Sequence, residues 1–227
     1  KLRNLYQTGI ITSKIEHPAI LETCKTLERQ GFEVSYINVN EDGIIDVEEL
    51  RKSIKTNTIL ISVMTANNEV GTVQPIEEIA KIAHDNNIVF HTDAVQAIGN
   101  VRIDVEKMKI DMLSLSSHKI NGPKGVGALY IKNGIEVEKF INGGHQEKDR
   151  RAGTENVAGI VGIGKAAEIA RKNMETHIRN LSKIRDYYIK KVQKEIPNIR
   201  INGSMENRLP GNANIRNFFR SEEHTSE

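Results

Sequence analysis

The sequence predicts an α/β protein: a three-layer sandwich around a mainly parallel sheet, followed by the start of a small α+β domain. Two observations carry this. Short apolar runs alternate with amphipathic stretches from Ile10 to Ile131, which is the rhythm of βα units. Strands that alternate with helices build a mainly parallel sheet covered on both sides. From about Glu155 that rhythm gives way to one long stretch, rich in Ala and charged residues, which stops before Pro197.

The strand candidates, in order, are Ile10–Ser13, Phe32–Ile37, Ile59–Met64, Ile88–Thr92, Met112–Ser116 and Gly127–Ile131. In the second, Phe32, Val34 and Tyr36 alternate with Glu33 and Ser35, so one face is wetter. Pro18 suits a first helical turn, and Ile20, Cys24 and Leu27 then share one face. Pro75 opens another helix, with Ile76, Ile79, Ala80 and Ala83 at helical spacing. The long stretch begins with a small-residue patch (Gly159, Gly162, Gly164, Ala166, Ala167) and turns into charged, heptad-like text from Lys172. It reads as a helix leaving one domain for another. The domains expected are 1–178, the large one with its N-terminal part missing, and 179–220, the start of a small C-terminal one. Residues 221–227 form a polar tail, disordered or foreign to the fold.

Composition narrows the function classes. Of 227 residues, 38% are apolar and 27% charged, with a formal charge of +2, an ordinary globular balance. Basic and acidic residues are interspersed, which argues against a nucleic-acid surface. No apolar run approaches the ~20 residues of a membrane span. Cys24 is the one cysteine, so neither an internal disulfide nor a Cys-clustered metal site is expected, and a reducing cytoplasm fits. The text starts at Lys1-Leu2-Arg3-Asn4 with no signal-peptide core and no initiator Met, as a chain would that begins inside a longer one.

Asn38 to Glu49 nearly spells a calcium-binding EF-hand loop, with oxygen donors at positions 1, 3, 5 and 9, Gly43 at 6 and Glu49 at 12. Such a loop needs a helix before it, and Phe32–Ile37 reads as a strand. The reading adopted is a strand, an Asp-Gly turn, and Asp46 capping a short helix Val47–Ile54.

Three polar groups stand where strands should end. These are Asn67-Asn68-Glu69, Asp93-Ala94-Val95-Gln96, and Ser116-Ser117-His118-Lys119. Open parallel sheets bind ligands at the carboxyl ends of their strands. An Asp ending one strand and a Lys just beyond the next suit pyridoxal phosphate, which needs a lysine for its aldehyde and an acid for its pyridine nitrogen.

With these motifs assembled, the chain resembles the cysteine desulfurases, pyridoxal-phosphate enzymes of fold type I in the class-V aminotransferase group. The segments that carry the resemblance are Glu16-His17-Pro18-Ala19-Ile20, Ala66-Asn67-Asn68-Glu69-Val70-Gly71, His91-Thr92-Asp93-Ala94-Val95-Gln96, Ser116-Ser117-His118-Lys119 with Gly122-Pro123-Lys124-Gly125, and Gly143-Gly144-His145-Gln146-Glu147 through Arg151-Ala152-Gly153-Thr154-Glu155-Asn156. They keep order and spacing from Thr8 to about Phe219.

The resemblance implies that Lys119 carries the cofactor and shuttles protons. It implies that Asp93 pairs with the ring nitrogen, and that His17 stacks on the ring and assists proton transfer. Asn68 and Gln96 would lie by the phenolic oxygen and the substrate carboxylate. Ser116 and His118 would hold the phosphate, with Thr154 reaching it from the other subunit of a homodimer. Read without the resemblance, His17 is a residue at a helix start, Asn68 and Gln96 are loop amides, Ser116 caps a strand end, and Thr154 is a helix N-cap. Gly122 to Gly127 is a tight turn rather than a phosphate loop, since no Gly-Lys-Ser/Thr closes it.

The activity implied is conversion of L-cysteine to L-alanine, with sulfur passed as a persulfide to an iron–sulfur scaffold or other acceptor protein. A selenocysteine lyase or another class-V aminotransferase-like enzyme, or a non-catalytic remnant, stays open as an alternative. Cys24, on an apolar helical face, reads as a buried thiol and not the sulfur acceptor. The family's acceptor cysteine belongs to a loop beyond Phe219, so these 227 residues alone are expected to release no sulfur.

Overall fold

A computed structural model describes residues 8–217. The elements are β1 (Gly9–Ser13), α1 (Pro18–Arg29), β2 (Glu33–Ile37), α2 (Val47–Lys52), β3 (Thr58–Ser62), α3 (Ile76–Asp85), β4 (Val89–Asp93), β5 (Met112–Ser116), β6 (Gly127–Ile131), a single turn α4 (Gln146–Asp149), α5 (Val157–Glu195), β7 (Ile199–Ile201) and β8 (Ile215–Asn217). The first six strands form one sheet in the order β2-β1-β3-β4-β5-β6, and β7 and β8 pair antiparallel by themselves. β1 to β5 run parallel, whereas β6 returns antiparallel along β5. The expected tail at 221–227, the chain start at Lys1-Leu2-Arg3-Asn4 and Phe218-Phe219 lie outside the described residues.

Right-handed crossovers decide which face each helix covers. The path steps from β1 outward to β2, then back across to β3 and on to β4, so α1 lies on one face and α2 and α3 on the other. The core agrees: Leu50 of α2 and Ile76, Ile79, Ala80, Ile82 and Ala83 of α3 cluster with Ile11, Ile37, Ile61, Phe90 and Leu113 of the sheet. Cys24 is the buried residue of α1, outside that cluster.

Local chemistry sets the element ends. The Asp46 carboxylate accepts from Glu49 N–H at 2.9 Å and starts α2, which stops at Lys52, two residues before the expected Ile54. Gly43 sits at φ +73° in the turn, and the element before the 38–49 segment is strand β2 rather than the helix a calcium loop needs. β3 ends at Ser62 rather than Met64, yet Val63 and Thr65 N–H still bond to His91 and Asp93 carbonyls at 3.1 and 2.8 Å. The Thr154 cap reading is corrected: α5 begins at Val157, and Asn156 Oδ1 accepts from Gly159 N–H at 3.1 Å. An N-cap oxygen must reach the N–H groups of the first turn, and Thr154 stands two residues too early.

Among the described residues no helix is long and apolar enough to cross a membrane. α5 is continuous from Val157 to Glu195, through the expected boundary at 178/179.

Candidate active site

The carboxyl ends of the parallel strands bring the sequence-predicted residues to one edge of the sheet. His17 follows β1, Asn68 follows β3, Asp93 closes β4 with Gln96 one turn on, and Ser116 closes β5. A 3₁₀ turn over Ser117–Ile120 then carries His118 and Lys119, both exposed. Asp93 pairs with Ser114 across the β4/β5 ladder, which sets the acid beside the strand that leads to the lysine.

His17 is the N-cap of α1: its Nδ1 accepts from Ala19 N–H at 3.2 Å. The bond makes Nδ1 the acceptor, so the neutral ring carries its proton on Nε2, on an exposed side chain. The helix-start reading and a site role are therefore compatible.

Asp93 is 9% exposed. Among the described residues its carboxylate takes one hydrogen bond, from Val95 N–H at 2.9 Å, and no cation pairs with it. A buried carboxylate left so poorly matched is a receptor for a positive group. Beneath it His91, on the same face of β4, bridges Ser62 Oγ at 2.8 Å and Ser114 Oγ at 2.9 Å. Burial pushes the His91 pKa down to about 4, against the pull of Asp93, so the ring is a neutral tie between β3, β4 and β5. The Thr65 and Thr92 hydroxyls add a second tie at 2.8 Å.

Asn67 is structural: its Oδ1 accepts from Glu69 and Val70 N–H, both at 2.9 Å, and its Nδ2 donates to Ile15 O at 2.8 Å. Neither Asn68 nor Gln96 has a side-chain hydrogen bond among the described residues, so the loop-amide reading describes Asn67 instead. The Ser116 hydroxyl makes no cap; it bonds His118 Nδ1 at 2.7 Å. Thr154 is exposed on the loop before α5 and makes no hydrogen bond to that pair. Among the described residues no cluster of three or more His, Cys, Asp or Glu could hold a metal ion.

Two supports of the site are not legible as such in the sequence. The small-residue patch of α5 lets the helix close on the turn after Lys119: a Cβ at Gly159 would lie 2.4 Å from Val126, and one at Gly162 would lie 2.4 Å from Pro123. The chain after α5 clasps the 67–73 loop, with Leu209 N–H on Gly71 O at 2.8 Å, Val73 N–H on Asn207 O at 2.9 Å and Asn212 Nδ2 on Glu69 O at 2.9 Å. Gly71, at φ +81°, leaves no room for a side chain beside Asn212.

The family model described as Aminotransferase class-V matches residues 5–225. The chain belongs to the class-V aminotransferase family. Among curated members, it is 52% identical over 206 residues to the cysteine desulfurase IscS of Dictyoglomus turgidum, covering 91% of this chain and 52% of that relative. It is 56% identical over 206 residues to the IscS of Methanosarcina thermophila, covering 91% and 51%. Among solved structures, a NifS-like protein superposes with a TM-score of 0.87 at 41% identity, over 91% of this chain and 57% of that one. A structure titled SspA in complex with cysteine matches with a TM-score of 0.70 at 47% identity, over 71% and 47%. The chain thus spans about half the length of the curated class-V relatives it matches.

Proposed function

We propose that these residues are the cofactor-bearing part of a pyridoxal-phosphate-dependent cysteine desulfurase, which takes L-cysteine to L-alanine and moves the sulfur to a protein thiol as a persulfide. The observation that carries the reading is Asp93, a buried carboxylate at a strand end with one backbone hydrogen bond, beside the strand that delivers Lys119. The names of the class-V relatives, and the cysteine in the SspA structure, support the substrate.

The residues fit the cofactor. Asp93 would receive the protonated ring nitrogen, Ser116 and His118 the phosphate, and Asn68 and Gln96, with unused amides, the phenolic oxygen and the substrate carboxylate. When bound, pyridoxal phosphate withdraws electrons from the bonds at the substrate α-carbon. Lys119 Nζ would bond the aldehyde carbon and, once released, carry a proton to and from the substrate. His17, with Nδ1 held by the helix start, would offer Nε2 to the same proton traffic.

The overall balance is cysteine plus a protein thiol giving alanine plus a persulfide: the substrate C–S bond breaks, an S–S bond forms, and a proton replaces sulfur on carbon. Cys24 does not suit that thiol role. It is buried in the α1 face, and burial, with the Glu16 and Glu28 charges, pushes its pKa up to about 11. The acceptor thiol is assigned outside these residues. The sulfur would then pass to an iron–sulfur scaffold or another acceptor protein.

A homodimer completes the proposal, with Thr154 serving the other subunit's phosphate. Apolar side chains left uncovered on α5, Val157 at 67% and Val161 at 66% exposed, support a partner surface there. The reading places the protein in the cytoplasm, where a lone free thiol is ordinary. Borohydride reduction of the cofactor-loaded protein, followed by peptide mapping, should put the pyridoxyl label on Lys119. A label on Lys124 would refute the assignment.

A further inference from the structure

Glu16 precedes His17 and is a buried acid that the proposed mechanism leaves without a task. It is 4% exposed, and its two oxygens are treated unequally. Oε1 accepts from the Ser13 hydroxyl at 2.6 Å and from Met64 N–H at 2.8 Å, whereas Oε2 is buried with no hydrogen-bond partner among the described residues. The first oxygen ties the segment between β1 and α1 to the chain leaving β3. The Asn67 bond to Ile15 O doubles that tie. The second oxygen bears a desolvation cost that no partner among the described residues relieves.

We propose that Glu16 is a second acid of the cofactor site, a positioning residue that holds the His17 segment through one oxygen and reinforces Asp93 in receiving the cationic ring nitrogen. The inference rests on the proposed role of Asp93. Burial raises the Glu16 pKa, the Ser13 and Met64 bonds oppose that, and the Asp93 charge adds to it, for a value of about 7. Cys24 on α1, which feels the Glu16 charge, is pushed up to about 11, and His91 on β4, which feels the Asp93 charge, is pushed down to about 4. Both are neutral where Glu16 titrates. A cation against Asp93 offsets the repulsion that Asp93 exerts on Glu16, so binding favours the ionised acid. By linkage, the ionised acid strengthens binding by the same factor.

The test titrates pyridoxal phosphate into the full-length apoprotein and its Glu16→Gln variant, reading Kd from cofactor absorbance between about pH 5.5 and about pH 8.5. Glutamine keeps an acceptor for Ser13 and Met64 and removes the charge. Whatever His17, Lys119 and the cofactor contribute is common to both proteins and drops out of the ratio. The expected ratio of variant to wild-type Kd is near unity at the acid end and rises to about 3–10 at the alkaline end, the equivalent of half to one pKa unit. A ratio constant with pH overturns the inference and leaves the Asp93 reading intact. Unchanged affinity in Asp93→Asn would overturn both. Ser13→Ala supplies an independent check should the glutamine variant not fold. Losing a bond that favours the ionised form moves the midpoint of the pH dependence upward, and an unmoved midpoint overturns the inference.

Discussion

Gly162 and Gly164 stand two residues apart on α5, and alanine should stabilise the second position but not the first. In a helix interior alanine is favoured over glycine by about 1 kcal/mol. At Gly164 a Cβ would meet nothing within 4 Å, so Gly164→Ala should keep that gain. It should raise Tm by about 2–4 °C. At Gly162 the added carbon would lie 2.4 Å from Pro123 Cγ and 2.9 Å from Cδ. Ordinary carbon contacts need about 3.5–4.0 Å, so one side must retreat by more than ~1 Å. A proline ring has no free torsion with which to swing away. Overpacking of this kind costs about 1–3 kcal/mol, which exceeds or cancels the helix gain and leaves a net loss of up to about 2 kcal/mol. The displaced Pro123 belongs to the turn that follows Lys119, so cofactor affinity should fall several-fold in Gly162→Ala and stay unchanged in Gly164→Ala. Thermal unfolding by circular dichroism and a cofactor titration read both effects. If Gly162→Ala proved as stable as Gly164→Ala, the close approach of α5 to the lysine turn would be refuted.

Cys24 in the folded protein should react with iodoacetamide at pH 8 at least about 100-fold more slowly than in urea, because burial and a pKa near 11 leave little thiolate. Equal rates would place the thiol at the surface. Asp111 accepts from Phe90 N–H at 3.0 Å, His84 Nε2 at 2.8 Å and Lys132 Nζ at 3.2 Å. Burial alone would raise its pKa, but these three partners together hold it below the usual carboxylate value. Its contribution is therefore fully present above the unfolded carboxylate pKa and is lost as pH falls through the folded one. Asp111→Ala should cost about 2–3 kcal/mol near neutral pH and less in acid, and a pH-independent cost would contradict the charge-based account. In the full-length protein, mixing Lys119→Ala and Thr154→Ala subunits should restore one complete cofactor site per dimer, seen as recovered high-affinity binding. No recovery would place Thr154 in its own subunit's site.

The six strands of the main sheet were legible in the sequence because each is a short apolar run bounded by a turn, a property of neighbours along the chain. Asp93 and the Ser116–Lys119 turn were legible for the same reason: in a parallel sheet, the residue after a strand marks an edge of the molecule. Pro18 and Asp46 announced their helices through backbone chemistry that acts within a turn. What the sequence could not show is what lies across the fold. In the sequence Glu16 is only the letter before His17 in a motif, yet Met64, 48 positions away, is its hydrogen-bond partner and Asp93 its electrostatic neighbour. His91 reads as one letter of a motif, and the tertiary structure makes it a neutral bridge between two serines on flanking strands. The glycines of α5 look alike in sequence, but Pro123 stands against Gly162 and open space against Gly164. Periodicity and capping are energies between residues a few positions apart, so the sequence states them directly. Desolvation, charge coupling and steric fit depend on which distant atoms share a volume, and only the packed chain decides that.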